Sequence, residues 1–426
     1  MTDLLDLSDR IIAGEAAIED HHPFSPPNEL QEVGDGTAFI QSFANVSALR
    51  ADDGLVLVDT GSPFVAPMIH GLVRGWDRAP LHTAVYTHGH IDHVFGTGPF
   101  EEEAAAAGGP AVRVVAHEDI EARFDRYCAC AGYNAVINQR QFQAPGLTWP
   151  TEYRRPDVTY RDRLDLEVGG LGLELHHARG ETDDATWVWV PEQRTVCTGD
   201  LIIWCTPNAG NPQKVQRYAR EWAVALRAMA AHAPELLLPG HGLPVRGEDR
   251  VRAVLEDTAT VLEVLHDRTL ELMNEGARLD DIVHEVRAPA DLLAKPYLRP
   301  IYDDPEFVVR GVWRLYGGWY DGDPSHLKPA PAGALAAELA ALAGGPGALA
   351  DRASRLAAAG DDASLRLAGH LAELATQAAP DDPALHRVRA EVFRTRAAAE
   401  HALMAKGVFT WAANESDAKT TDHPED

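Results

Sequence analysis

Apolar runs and their breaks divide this chain into two stretches of different period. Residues 38–49 are apolar-rich, Ala51-Asp52-Asp53-Gly54 is a turn signal, and Leu55-Val56-Leu57-Val58 is an apolar run. That combination predicts two strands joined by a hairpin, the second one buried. A helical segment follows over 65–76, then a strand at 81–86, a helix over 100–107 and a strand at 111–116. Strand patterns return at 164–177, 186–190 and 195–198, with Pro191-Glu192-Gln193-Arg194 as a turn. A helix over 218–232 leads to Leu236-Leu237-Leu238. Strands alternating with helices in this way predict an α/β unit. Residues 117–160 hold aromatic and polar side chains without clear period, and are expected to form an irregular insertion facing the substrate.

The character changes after about residue 250. Residues 251–275 repeat apolar positions at helical spacing. From Pro331 onward the chain is Ala/Leu-rich, cut at Gly344-Gly345-Pro346-Gly347, Gly360-Asp361-Asp362 and Pro380-Asp381-Asp382-Pro383. These cuts leave segments of about 12–17 residues, a normal length for packed helices. The predicted organisation is an α/β domain over 1–250 and an all-α domain over 251–426, with the last dozen residues polar and disordered. Ala/Leu-rich helices with little to cover one face predict a homodimer.

Composition narrows the partners. The 426 residues are 45% hydrophobic and 24% charged, ordinary for a globular protein. The formal net charge of -27 argues against a nucleic-acid partner, since phosphate binding needs a basic surface. Cys128, Cys130, Cys197 and Cys205 contain no C-x-x-C pair and read as reduced. The N-terminus lacks a basic segment followed by an apolar run, and no apolar stretch is long enough to span a bilayer. A cytoplasmic protein without membrane insertion is expected.

The chemistry concentrates in Thr87-His88-Gly89-His90-Ile91-Asp92-His93, an H-x-H-x-D-H between a predicted strand and a helix. Neutral imidazole is the commonest protein metal ligand, and carboxylates suit the same borderline cations. Sites on α/β sheets tend to lie at strand ends of this kind. Three further candidate ligands sit at strand-to-loop junctions, each preceded by glycine: Glu181, Asp200 and His241. Glycine there lets the backbone turn sharply and approach a metal closely.

This order of motifs resembles the metallo-β-lactamase superfamily. The shared features are Leu57-Val58-Asp59-Thr60-Gly61, the histidine cluster, a glycine-led third ligand, Thr198-Gly199-Asp200 and Gly240-His241-Gly242. The resemblance implies an αββα sandwich with two zinc ions. His88 and His90 would bind the first ion, Asp92, His93 and His241 the second, and Asp200 would bridge. Asp92 and Asp200 are then the candidate catalytic carboxylates, and Asp59 would orient a ligand. Most of the superfamily has a histidine where this chain has Glu181, and His176 and His177 are the competing candidates. A glutamate there resembles the alkyl sulfatase branch, although Asp200 stands where the longer sulfatases have a glutamate.

The second half carries the same likeness. Tyr316-Gly317-Gly318-Trp319-Tyr320-Asp321-Gly322-Asp323-Pro324, with Leu327 and Pro329, resembles the opening of the alkyl sulfatase dimerisation domain. Tyr133-Asn134 and the Gln216-Arg217…Trp222 segment are similar to that branch too. The implied activity is cleavage of alkyl sulfate esters, small organic anions, by a metal-bound hydroxide. A glyoxalase-like thioesterase or a lactonase would use the same metals. Asn208, Asn211, Lys214 and Arg217 are expected to form an anion site, with Tyr133 and Asn134 as further donors. Arg217 leads, because its planar fork matches a tetrahedral oxyanion. A site with three carboxylates also suits manganese or iron.

Overall fold

The computed structural model describes residues 3–420. Two sheets form the first half. One holds β1 (Glu29–Gly34), β2 (Thr37–Gln41), β3 (Val46–Ala51), β4 (Gly54–Val58), β5 (Leu81–Val85), β6 (Arg113–His117) and β7 (Val158–Tyr160), in sequence order. The other holds β8 (Arg163–Val168), β9 (Leu171–His177), β10 (Thr186–Val190), β11 (Thr195–Gly199), β12 (Leu236–Pro239) and β13 (Val245–Arg246), also in order. Pairing is antiparallel from β1 to β4 and parallel from β4 to β7. The second sheet is antiparallel except for β11 with β12.

Strands β2, β4, β10 and β11 are buried at every position, as expected for strands covered on both faces. Helices follow α1 (Leu4–Ile12): α2 (Ala66–Trp76), α3 (Gly98–Ala107), α4 (Ile120–Ala129) and α5 (Ala131–Phe142). Leu55, Leu57 and Ala84 of the first sheet pack with Ile69 and Val73 of α2 and Phe100 of α3. The sheets meet through backbone: Asn45 N–H donates to Gly240 O (2.8 Å) and Thr186 N–H to Thr87 O (2.7 Å). Beyond the second sheet lie α6 (Ala219–Ala231) and α7 (Glu248–Asn274), packed on each other. The result is the expected αββα sandwich.

The irregular insertion expected over 117–160 is corrected: α4 and α5 occupy much of it. The stripe Ile120, Arg123, Phe124, Tyr127 is buried at helical spacing, but an arginine inside it breaks the apolar pattern. At residue 250 the chain is entering α7, whose Val251, Val254, Leu255, Val261, Leu262 and Leu265 are buried. Next come α8 (Leu279–Glu285), α9 (Ala290–Leu293) and α10 (Pro305–Gly317), with α10 packed on α7 and α8. One compact unit therefore comprises residues up to Ala131 and Thr148–Gly318.

The other unit comprises Gly132–Leu147 and the chain from Trp319 onward. It holds most of α5, the short α11 (Pro324–Leu327), and α12 (Ala332–Ala343), α13 (Pro346–Ala359), α14 (Asp362–Ala378), α15 (Pro383–Ala399) and α16 (Leu403–Ala418). Gly407 of α16 presses on α5, where a Cβ would come within 2.3 Å of Gln141 O. The last dozen residues are not wholly disordered as expected, since α16 runs to Ala418; residues 421–426 lie outside the described range.

Candidate metal centre

Strand ends deliver the ligands. β4 closes on Asp59 with φ 60°, and β5 runs through Tyr86 into the loop 88–93. That loop is tied down by backbone: Thr60 N–H donates to His93 O (2.8 Å) and Gly89 N–H to Asp184 Oδ2 (2.8 Å). Asp184 is buried and also accepts from Arg123 Nε (2.8 Å), itself buried. Burial would raise the Asp184 carboxyl, but the Arg123 guanidinium holds it below its usual value.

Glu181, Asp200 and His241 arrive from the second sheet, and their glycines have steric reasons. A Cβ on Gly180 would lie 2.5 Å from Leu201 Cδ2, and one on Gly240 would lie 2.2 Å from Asp200 Oδ1. Gly199 has φ 50° and no room beside Thr87, where a Cβ would come within 2.7 Å.

The donor atoms form two groups divided by Asp200. Its Oδ1 lies 3.2 Å from His93 Nε2 and 3.3 Å from His241 Nε2. Its Oδ2 lies 3.5 Å from His88 Nε2 and 3.9 Å from His90 Nδ1. Asp92 Oδ2 joins the first group at 3.7 Å from both His93 and His241. Glu181 Oε1 joins the second at 3.9 Å from His90. Neither His176 nor His177 takes part: His176 stacks on Trp187 (4.0 Å), and His177 Nε2 lies 2.8 Å from Asp183 O.

Do these residues fit metal ions? Three imidazoles are engaged on the outer nitrogen and turn the other inward. His93 Nδ1 lies 2.7 Å from Asp59 Oδ2, His88 Nδ1 lies 2.9 Å from Thr87 Oγ1, and His241 Nδ1 bonds Phe43 O. Metal-ligating histidines are held this way. His93 Nε2 and Asp200 Oδ1 are buried without a hydrogen-bond partner among the described residues, which is costly unless something else satisfies them. His88 Nε2 and His90 Nδ1 face each other at 2.8 Å, two nitrogens converging on one side of the site. The donor set fits a pair of divalent cations.

The electrostatics agree. Burial would raise Asp200, yet the rings of His241, His93 and His88 hold it well below the carboxylate range. Burial and the neighbouring His88 push His90 well down. Burial opposes protonation of His93 too, but Asp200, Asp59 and Asp92 outweigh it and raise that ring well above its usual value. Carboxylates and imidazoles are packed here at a density that cations relieve.

The expected anion grip looks different in the structure. Arg217 is buried, its Nη1 2.5 Å from Glu181 Oε1 and bonded to Asn208 O. Asn208 Nδ2 donates to the same Glu181 oxygen (2.6 Å). Both residues therefore hold a candidate ligand; the buried Nε of Arg217 has no partner among the described residues. Asn211 accepts from Gln213 N–H (3.0 Å) within a turn. Lys214 is half-buried, and burial with the adjacent Arg217 lowers its ammonium to about 8. Tyr133 and Asn134 belong to the helical unit, Tyr133 exposed and Asn134 buried, with Asn134 O accepting from Asn138 (2.7 Å).

Sequence reasoning missed Thr87, Asp184 and Arg123. The first two flank a proposed ligand closely enough to have been flagged; Arg123 carries no local signal. A third cluster, His117, Asp119 and His177, offers ligand atoms as well. Its two rings stack at 3.7 Å and 9°, so their in-plane lone pairs cannot meet at one ion.

The metallo-beta-lactamase superfamily model matches residues 40–241, the segment that supplies every one of these candidate ligands. The alkyl sulfatase dimerisation model matches residues 278–419. The chain belongs to the metallo-beta-lactamase superfamily. Within it, the chain falls in the alkyl sulfatase-like branch. It is 29% identical over 372 residues to a linear primary-alkylsulfatase of Pseudomonas sp. (strain ATCC 19151), covering 81% of this chain and 69% of that protein. An (R)-specific secondary-alkylsulfatase of Pseudomonas sp is 28% identical over 68% of this chain and 47% of its own length. The solved structure of the stereoselective inverting sec-alkylsulfatase Pisa1 from Pseudomonas sp. superposes with a TM-score of 0.80 at 24% identity, over 93% of this chain and 66% of that one. The chain thus spans between 47% and 69% of the length of these relatives. The superfamily implies divalent metal binding, and the cluster offers donor groups that fit it.

Proposed function

We propose that this protein is a binuclear zinc hydrolase of alkyl sulfate esters. The observation that carries the reading is Asp200, one oxygen toward His93 and His241 and the other toward His88 and His90. A carboxylate so placed would offer one oxygen to each of two ions. His88, His90 and Glu181 would hold one, and Asp92, His93 and His241 the other. When bound, such a pair makes water nucleophilic at neutral pH and neutralises charge that develops on a substrate oxygen.

The chain's own residues do the rest. Asp59 keeps the inner nitrogen of His93 aimed at the centre. Arg217 and Asn208 hold Glu181, and the free Nε–H of Arg217 is a donor for a sulfate oxygen. The half-buried Lys214 adds positive charge, which supports entry of an anion into a protein of net charge -27. The match to alkylsulfatases runs through both the sandwich and the helical half, which supports a sulfate ester over a thioester or lactone.

Assays of purified protein for metal content, and for sulfate release from alkyl sulfates below their micellar range, test this reading. About two zinc per chain and sulfate release are expected. Turnover of a thioester or lactone without any sulfate release would replace the substrate class. The dimerisation family match, with a row of exposed leucines on α12, supports a homodimer. Unpaired cysteines at 128, 130, 197 and 205 support a cytoplasmic location, which cell fractionation checks. Among the described residues no single helix is long and apolar enough to cross a membrane; only α12 and α13 together reach that length, and they meet at 84°.

A further inference from the structure

We propose that Asp303 is a positioning residue for the Glu181 half of the metal centre, acting through the loop that carries Asn208. The inference rests on the metal-centre reading above. Glu181 is held from behind by Asn208 Nδ2 (2.6 Å) and Arg217 Nη1 (2.5 Å), and Arg217 also grips Asn208 O. Asn208 is thus the residue on which the placing of Glu181 turns. It sits in a loop without regular secondary structure, so something outside the sandwich must fix it.

The segment 298–303, just before α10, does so on both sides of Asn208. Upstream, Thr206 N–H donates to Arg299 O (3.1 Å) and Thr206 Oγ1 to Leu298 O (2.7 Å). Downstream, Gly210 N–H donates to Asp303 Oδ2 (2.9 Å). Asp303 is completely buried and its other oxygen accepts from Asp304 N–H (2.9 Å). One carboxylate therefore joins the loop to the start of α10. The contact is close: a Cβ on Gly210 would lie 2.0 Å from Phe307 C and 2.1 Å from Val308 N. Gln216, beside Arg217, is tied to the same helix through Gly311 O (3.0 Å). The helix following the sandwich thus sets the geometry of a ligand more than a hundred residues earlier.

A buried aspartate with two backbone partners is costly to keep unless both bonds are needed. Its location, away from the seven ligands, marks it as a support and not a catalytic group. Outer partners of metal ligands change metal affinity by about 10–100-fold when removed.

The test uses the 426-residue chain loaded with Zn2+ and titrated against a chelator of known affinity. Asp303→Asn retains shape and one acceptor oxygen. It is expected to weaken one of the two zinc equivalents by about 10-fold or more while leaving the other within about 2-fold. Asn208→Ala should weaken the same equivalent. In the Asn208→Ala background, Asp303→Asn should add little, because the connection is already cut. Unchanged binding of both equivalents in Asp303→Asn overturns the proposal. So does equal weakening of both, or full additivity with Asn208→Ala, since either marks a merely structural role. If Asp303→Asn does not fold, Thr206→Val, which cuts the upstream anchor, must show the same one-equivalent loss. A wild-type protein that binds no zinc would instead sink the metal-centre reading itself.

Discussion

At the scale of single residues, the centre depends on side chains that are absent as much as on those present. Gly240 touches Asp200 Oδ1 so closely that any Cβ displaces the carboxylate. Gly240→Ala should therefore weaken both zinc equivalents at least about 10-fold, a loss that chelator competition reads. Retention of wild-type affinity would show that Asp200 can bridge from another position. Removing the metal has a second expected effect. His93 Nε2 and Asp200 Oδ1 are buried without a hydrogen-bond partner among the described residues, so ions bound there would stabilise the fold by binding only the native state. Chelated protein should unfold several degrees lower in calorimetry, and an unchanged Tm would argue that the ions add nothing to stability. The seven candidate ligands that the structure brings together were legible in the sequence, because metal chemistry asks for particular donor atoms and glycine marks where the chain must bend. The partners of Glu181 were legible only as polar residues. Nothing in the order of residues says that Arg217 and Asn208 both turn toward Glu181.

At the scale of elements, α4 shows why part of the fold escaped the pattern. Ile120, Phe124 and Tyr127 keep helical spacing, yet Arg123 stands among them and is buried. Its charge is matched by Asp184, distant in sequence, which in turn holds Gly89 of the histidine loop. Removing one partner leaves the other buried and unpaired, so Arg123→Met should cost about 3–5 kcal/mol in urea unfolding. Replacing Asp184 by leucine as well should recover part of that loss. If the single and double variants were equally unstable, the pair would not be the cause.

The junction before α10 has its own pH signature. Burial pushes the Asp303 carboxyl up to about 7, against the two N–H bonds it accepts. The folded protein thus keeps this proton where the unfolded chain, at the ordinary aspartate value of 3.8, has lost it. Stability contributed by the protonated form is complete below about pH 4 and is lost as pH rises toward 7. Compared with Asp303→Asn, the wild type should lose relative stability across that window, by a few kcal/mol at most, and run parallel above it. A constant difference from pH 4 to 8 would contradict the raised carboxyl.

At the scale of the whole molecule, the helical unit carries an apolar face that its own helices leave open. Leu335, Leu339 and Leu342 lie at i, i+4 and i+7 on α12, with Leu342 85% exposed. Such a row is unusual on a monomer and fits the dimerisation family that this half matches. Light scattering should give twice the chain mass, and Leu335→Glu with Leu342→Glu should shift the protein toward monomer. A monomeric wild type would leave that face for another partner.

By itself the sequence determined the candidate donor set, the alternation of strands and helices in the sandwich outside 117–160, and the change to an all-helical second half. These are readable because each depends on local period or on the chemistry of one side chain at a time. Only the tertiary structure decided how Asp200 divides its two oxygens, that Glu181 and not His176 or His177 lies beside His90, and that Arg217 and Asn208 bond Glu181. It also decided that helices α7 to α10 belong with the sandwich, where Asp303 reaches back to the Asn208 loop. Burial explains the difference. Once water is excluded, every charged and polar group must find a partner, and that partner is set by which strands and helices meet.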